Sequence, residues 1–144
     1  RIADKTLNAE LRAVISNNAD AYGLKRAEQA NIPVEIIDHK QYNSRESFDA
    51  QVKRCIDKYQ PDLIILAGFM RILSDDFVNY YSGKLINIHP SLLPKYRGLH
   101  THQKALEAGD KEHGLTIHYV STELDGGPVI LQKIVPILAG DTVE

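Results

Sequence analysis

"PDLIILAGFMRILSDDFVNYYSGKLINIHP", residues 61–90, holds two short β-rich runs separated by one amphipathic stretch. Residues 62–68 form a continuous β-rich run after Pro61, the pattern of a strand buried on both faces. Ser74, followed by Asp75 and Asp76, reads as a helix start with acids at the positive end of the helix dipole. Residues 77–83 complete that helix, and Gly83 is placed to stop it. Residues 84–89 read as a second strand. Strand, helix and strand in succession favour parallel pairing, and hence an α/β sheet.

The same alternation extends in both directions. Residues 12–17 and 33–38 read as strands around a helix over 19–31, with its packing face expected at Ala19, Tyr22, Ala27 and Ala30. Residues 44–60 carry Phe48, Val52, Cys55, Ile56 and Tyr59 on one helical face, with Ser44 as the cap and Pro61 as the stop. Further on, a helix is expected over 100–110, ending near Gly109. Residues 114–121 alternate Leu115, Ile117 and Tyr119 against Thr116, His118 and Val120. Residues 128–138 form another strand, in which Pro136 indicates an edge or a bulge. Only the loop 121–127 joins these two strands, so their pairing is expected to be antiparallel or mixed. The expected architecture is a mostly parallel sheet flanked by helices, with a mixed C-terminal part.

Bulk properties narrow the function. The 144 residues suit a single domain spanning 1–144. A net charge of -2 gives no basic surface for nucleic acid or an anionic membrane. No apolar run approaches the roughly 20 residues of a membrane helix, and no signal peptide is recognisable, so the location is expected to be cytoplasmic. Cys55 has no partner for an internal disulfide and reads as a helix residue of no chemical role. Oligomeric state leaves no signal. Both ends are expected to be cut: position 1 is arginine, and Asp141 with Glu144 resembles a capping box opening a further helix.

The chemistry concentrates where the strand 84–89 ends. Ligands of open α/β sheets bind beyond the carboxyl ends of the strands, and side chains two apart on a strand share a face. Asn87 and His89 therefore present an amide and an imidazole on one surface. That combination suits acyl transfer, because an amide N–H stabilises an oxyanion and a histidine moves the proton. Taken alone, the pair is a weak signal, because a histidine at a strand end is more often a satisfied structural residue. Asp125 lies before Gly126, Gly127 and Pro128, a sequence able to turn a carboxylate into a crevice. It reads either as the partner of His89 or as a turn aspartate.

Rival sites are weaker. His100 and His102 have no carboxylate or cysteine at a ligand spacing, so they read as a helix start and no metal is expected. His113 and His118 read as structural or solvated. No GxSxG elbow is present, and Ser91 sits inside a proline turn, which disfavours a serine hydrolase. Dinucleotide and P-loop glycine motifs are absent.

"NIHPSLLPKYRG" (87–98) followed by "LDGGPVI" (124–130) resembles the folate-dependent formyltransferases. "SNNADAYGLKRAEQANIPV" (16–34), "LAGFMRILSDDFV" (66–78) and the whole run 98–141 are similar to that family in order and spacing. The resemblance implies a Rossmann-like formyltransferase fold. Pro90 and "GLHTHQKAL" (98–106) favour the branch that acts on 5'-phosphoribosylglycinamide over the methionyl-tRNA formyltransferase and formyltetrahydrofolate hydrolase branches. A folate-binding module without activity is the alternative from another class.

The implied reaction moves a formyl group from 10-formyltetrahydrofolate to the amine of 5'-phosphoribosylglycinamide, in de novo purine (IMP) synthesis, through a tetrahedral intermediate. By position, the resemblance implies that Asn87 and His89 stabilise that intermediate, that His89 donates the proton, and that Asp125 raises the histidine pKa. It implies folate contacts at Arg45, at Met70, Arg71, Ile72 and Leu73, and over Ser121, Thr122, Glu123, Leu124 and Asp125, with Asn87 among them. It also implies a phosphate-binding loop before Arg1 and further helices after Glu144.

Overall fold

A computed structural model of the protein describes residues 6–143. Position 1 and Glu144, on which the expectations about the ends partly rest, lie outside the described residues. The chain divides into two compact units between Pro61 and Asp62.

In the first unit, β1 (Val14–Ser16), α1 (Tyr22–Gln29) and β2 (Val34–Ile36) form a strand–helix–strand unit. The two strands pair in parallel from Val14 with Val34 to Ser16 with Ile36. The expected helix face is corrected: Leu24 and Ala27 are buried, whereas Tyr22 is 72% exposed and Ala19 and Ala30 face solvent. A helix of only eight residues shows little more than one narrow stripe to its strands, and Leu24 with Ala27 is the apolar i, i+3 pair on it. The Asp38 side chain accepts from the Lys40 N–H and opens a short 3₁₀ turn at His39–Gln41.

α2 (Arg45–Tyr59) follows the expected boundaries closely. The Ser44 hydroxyl accepts from the Ser47 N–H at 3.1 Å, and Ser47 returns the favour to the Ser44 N–H, a reciprocal cap. Gln60, in the left-handed region at φ 46°, closes the helix before Pro61. Phe48, Val52, Cys55 and Ile56 are buried as the apolar pattern requires. Phe48 meets the His39 and Tyr42 rings edge-on, and Tyr59 donates its hydroxyl to Glu35 at 2.8 Å.

The second unit contains β3 (Ile64–Ala67), α3 (Asp75–Tyr80), β4 (Leu85–His89), α4 (Thr101–Glu107), β5 (Glu112–Tyr119) and β6 (Val129–Pro136). Its sheet has the order β3-β4-β5-β6. β3 and β4 are parallel, and β5 and β6 add antiparallel neighbours. The expected change from parallel to mixed pairing therefore falls at β4, the strand that carries Asn87 and His89. The Ser74 hydroxyl caps α3 through the Phe77 N–H, and the chain leaves that helix at Tyr80, before Gly83 with its φ of +77°.

The reading of β3 as buried on both faces is corrected, because Ile65 is 53% exposed. Among the described residues β3 has a ladder partner on one side only. Pro136 lies on β6, the other outer strand, where a missing N–H costs no ladder bond.

The buried face of β5 is its polar one. Thr116 is fully buried and His118 nearly so, while Leu115 and Ile117 are half-buried. This inversion has a cause in the loop 90–98, whose backbone needs partners. The Thr116 hydroxyl donates to the Ser91 carbonyl at 2.7 Å and accepts from the Leu93 N–H at 3.0 Å. Gln132 on β6 donates both to the Leu93 carbonyl and to the Thr116 hydroxyl. The Ser91 hydroxyl donates to the Lys95 carbonyl and Thr101 to the Pro90 carbonyl. A buried loop is stable only when such groups are paired. Among the described residues no buried side-chain nitrogen or oxygen lacks a hydrogen-bond partner.

His102 at the start of α4 meets His113 on β5 with ring nitrogens 2.9 Å apart. Both His113 and His118 are buried, so the solvated alternative for them is excluded. Burial, followed by the neighbouring His102, holds the His113 pKa below the ordinary histidine value. A depressed histidine pKa means that the unfolded chain takes up its proton first as the pH falls. Stability is then full above the unfolded value of about 6.5 and declines as the pH falls through the folded value.

Two outcomes follow. Thr116→Val should leave the Leu93 N–H and Ser91 carbonyl without their partner and cost about 2–4 kcal/mol, read as a lower melting temperature. An unchanged melting temperature would show that these bonds do not hold the loop. His113→Gln should lose less melting temperature than the unsubstituted protein on acidification from about pH 7.5 to 5.5, the window above carboxylate titration. Equal losses would contradict the assignment.

Candidate active site

The site is assembled at the carboxyl end of β4. Alternation along this strand turns Leu85, Asn87 and His89 to one side and leaves Ile88 outward and exposed. The antiparallel register sets Asn87 opposite His118 and His89 opposite Thr116. Asn87 Nδ2 lies 3.3 Å from His118 Nε2 across that pairing. The strand end thus receives a polar group from each side of the ladder.

Asp125 reaches the same place from the loop between β5 and β6. Its backbone is left-handed at φ 49°, a conformation that aspartate tolerates better than most residues. Gly126 and Gly127 allow the reversal that follows. A Cβ at Gly127 would lie 1.8 Å from the Tyr119 carbonyl oxygen, and one at Gly126 would strike the Glu123 carboxylate. Gly127 meets backbone and admits no side chain, whereas at Gly126 the flexible Glu123 side chain would have to move aside. The turn is tied further by the Tyr119 N–H to the Pro128 carbonyl and the Ser121 hydroxyl to the Glu123 carbonyl. Arg97 pairs with Glu123 at the rim.

The structure brings the expected partners together, with His89 Nδ1 3.5 Å from Asp125 Oδ1. Their side chains are only 6% and 8% exposed, so water does little to solvate or screen them. The other carboxylate oxygen accepts from the Gly98 N–H at 2.8 Å. Nε2 of His89 lies 2.9 Å from the Tyr96 carbonyl. The histidine is consequently clamped between the loop 90–98 and the Asp125 turn. His118 Nε2 stands 3.7 Å from the same Asp125 oxygen, and the two imidazole rings are edge-on with centroids 6.5 Å apart.

A cleft opens beside this cluster, within the second unit. Asn87, His118 and Asp125 line it, and His89 does not. Of the residues expected to contact folate, Arg71, Ile72 and Leu73 line the cleft. Ser121, Thr122, Glu123 and Leu124 line it as well. Met70 is 68% exposed and outside the lining, which Phe69 joins instead. Arg45 belongs to the first unit, at the start of α2, where it is exposed beside Glu46.

The cleft combines the apolar side chains of Leu66, Phe69 and Val78 with the polar groups of Asn87, His118 and Asp125. Such a lining suits a flat, partly apolar molecule with a reactive polar end. His118 and Phe69 were not singled out by sequence reasoning. The signal for His118 is its register opposite Asn87, which exists only once the strands are paired. His100 and His102 do not converge, since His100 precedes α4 and His102 pairs with His113. Ser91 is buried and donates its hydroxyl to a backbone carbonyl, which leaves no free nucleophile there.

Comparison with known proteins accounts for this arrangement. A formyl transferase family model matches residues 1–144. The phosphoribosylglycinamide formyltransferase of Escherichia coli (strain K12) is 57% identical over 138 residues, covering 96% of this chain. The trifunctional purine biosynthetic protein adenosine-3 of Homo sapiens is 46% identical over 136 residues, which are 94% of this chain and 14% of that protein. The solved phosphoribosylglycinamide formyltransferase of Coxiella burnetii, in complex with CHES, superposes with a TM-score of 0.90 at 57% identity over 98% of this chain and 66% of that one. Glycinamide ribonucleotide transformylase 1 of Symbiobacterium toebii gives a TM-score of 0.94 at 41% identity over the same shares. The chain spans 65% of the length of the Escherichia coli relative. The Rossmann-like α/β fold expected from the sequence is thereby established, and the chain belongs to the formyl transferase family.

Proposed function

We propose that this chain acts as one formyltransferase domain, moving a formyl group from 10-formyltetrahydrofolate to the amine of 5'-phosphoribosylglycinamide in purine synthesis. A cytoplasmic location is part of this reading. The observation that carries it is the convergence of Asn87, His118 and Asp125 on one cleft, with His89 held against Asp125 behind them. The names of relatives with 46–57% identity support the choice of substrates.

The proposed steps follow from the groups present. The amine nitrogen attacks the formyl carbon, and the carbonyl oxygen becomes an oxyanion. The amide N–H of Asn87 faces that charge, an interaction stronger in the tetrahedral intermediate than in the substrate. Collapse breaks the bond to the folate nitrogen, which leaves with a proton, while the new amide loses one. His89 is the proposed proton carrier. In the present arrangement its Nε2 proton is directed to the Tyr96 carbonyl, so delivery requires that carbonyl to give way to the leaving nitrogen. Asp125 holds the ring through Nδ1 and offsets positive charge on it. The folate ring system would occupy the cleft, among Arg71, Ile72, Leu73 and Ser121 to Leu124. Roles for Met70 and Arg45 in folate binding are retained as part of the proposal.

The test is a formyl-transfer assay on the full-length protein with both substrates. His89→Ala should lower kcat by about 10²- to 10⁴-fold with folate affinity largely kept, and Asn87→Ala should lower kcat by about 10²- to 10³-fold. Near-wild-type turnover in either variant would remove that residue from the mechanism. Transfer to charged initiator tRNA in place of the ribonucleotide would overturn the substrate assignment. Folate binding without any product would indicate a binding module. Asp125→Asn should lower kcat about tenfold or more, and an unchanged kcat would exclude its carboxylate from proton transfer.

A further inference from the structure

We propose that His118 is a positioning residue that fixes which end of the Asn87 amide faces the cleft. The inference rests on the oxyanion role given to Asn87 above and adds the group that orients it. His118 Nδ1 lies 2.9 Å from the Tyr119 carbonyl. A carbonyl oxygen only accepts, so Nδ1 carries the proton. In the neutral ring Nε2 then holds a bare lone pair. The atom 3.3 Å from it is the Asn87 side-chain nitrogen, which donates.

The alternative orientation of the amide is disfavoured by simple electrostatics. Rotating Asn87 by half a turn would bring Oδ1 against the Nε2 lone pair, two acceptors with no proton between them. Asp125 approaches that nitrogen less closely than the Asn87 amide does, at 3.7 Å against 3.3 Å. Its Oδ1 is nearer to His89 at 3.5 Å, and its Oδ2 already accepts from Gly98. His118 is itself buried, at 2% exposed, and lies opposite Asn87 in the ladder.

The consequence is chemical. The Asn87 amide nitrogen has two N–H bonds, one spent on His118 and one left for the cleft that both residues line. An amide turned the other way would show an oxygen to the developing oxyanion and repel it. The cross-strand pair therefore converts a freely flipping amide into a fixed donor before substrate arrives. Preorganisation of this kind avoids reorienting a dipole during the reaction.

Two measurements on the full-length protein test this. Nitrogen-15 NMR of the unliganded protein reads the His118 tautomer directly. Nδ1 should be the protonated nitrogen and Nε2 the bare one, whereas the reverse tautomer or a doubly protonated ring would overturn the proposal. The second measurement uses kinetics. His118→Asn, which keeps a group near Nδ1 and removes the acceptor at Nε2, should lower kcat by tenfold up to the roughly 10²- to 10³-fold cost of losing an oxyanion donor, with both KM values unchanged. His118→Gln, whose side-chain oxygen reaches the Nε2 position, should recover most of that loss. In an Asn87→Ala background neither substitution should slow the enzyme further. A full additional loss there, or an effect confined to KM, would make His118 a structural residue and sink the inference. No formyl transfer by the unsubstituted protein would instead sink the functional reading, and the tautomer would still decide the amide's orientation.

Discussion

A carboxylate that is almost completely buried must be met by donors, since an unpaired charge in that setting would cost several kcal/mol. Asp125 is that group, and the second unit is organised around meeting it. The Gly98 N–H supplies one donor and the His89 ring faces the other oxygen. The first requires loop 90–98 to fold back to the strand ends. The second requires β4 to finish at His89, with its side chain on the inner face. Bringing Asp125 there depends on a left-handed backbone followed by two glycines, the second of which has no room for a Cβ against the Tyr119 carbonyl.

From this requirement the polar interior follows. A loop that folds back over a sheet carries carbonyls and N–H groups into a region without water. Thr116 and Gln132, on β5 and β6, answer them from below, while Ser91 and Thr101 answer from within the loop and α4. The β5 face that would be apolar in an ordinary sheet is given over to Thr116 and His118. Site and scaffold share these bonds. The same strand that supports the loop through Thr116 presents His118 to Asn87 two positions later.

Much of this was legible from the residues alone where causes are local. The Ser44 cap, the apolar stripe of α2 and the stop before Pro61 all act within a few positions, and the helix formed where they indicate. The antiparallel pairing of β5 with β6 was readable because no helix separates those strands, whereas the antiparallel pairing of β4 with β5 across α4 was not. Asn87 and His89 shared a face by strand alternation, as expected. What was not legible depends on register or on long-range pairing. Which face of β5 is buried was decided by the loop's need for partners, not by the alternation of Leu115 and Ile117. His118 was set beside Asn87 by a ladder joining positions 31 apart. The cleft lining includes Phe69 rather than Met70 because the chain leaves β3 at Ala67 and turns through Gly68 at φ +65°.

The central claim is that His89 and Asp125 act as one unit in formyl transfer. A double-mutant cycle on kcat of the full-length protein tests this most directly, comparing His89→Ala, Asp125→Asn and the double variant. If the carboxylate works through the imidazole, the double variant should be about as slow as His89→Ala alone. Multiplication of the two single losses would contradict the claim, because it would mean that each residue acts on the reaction independently.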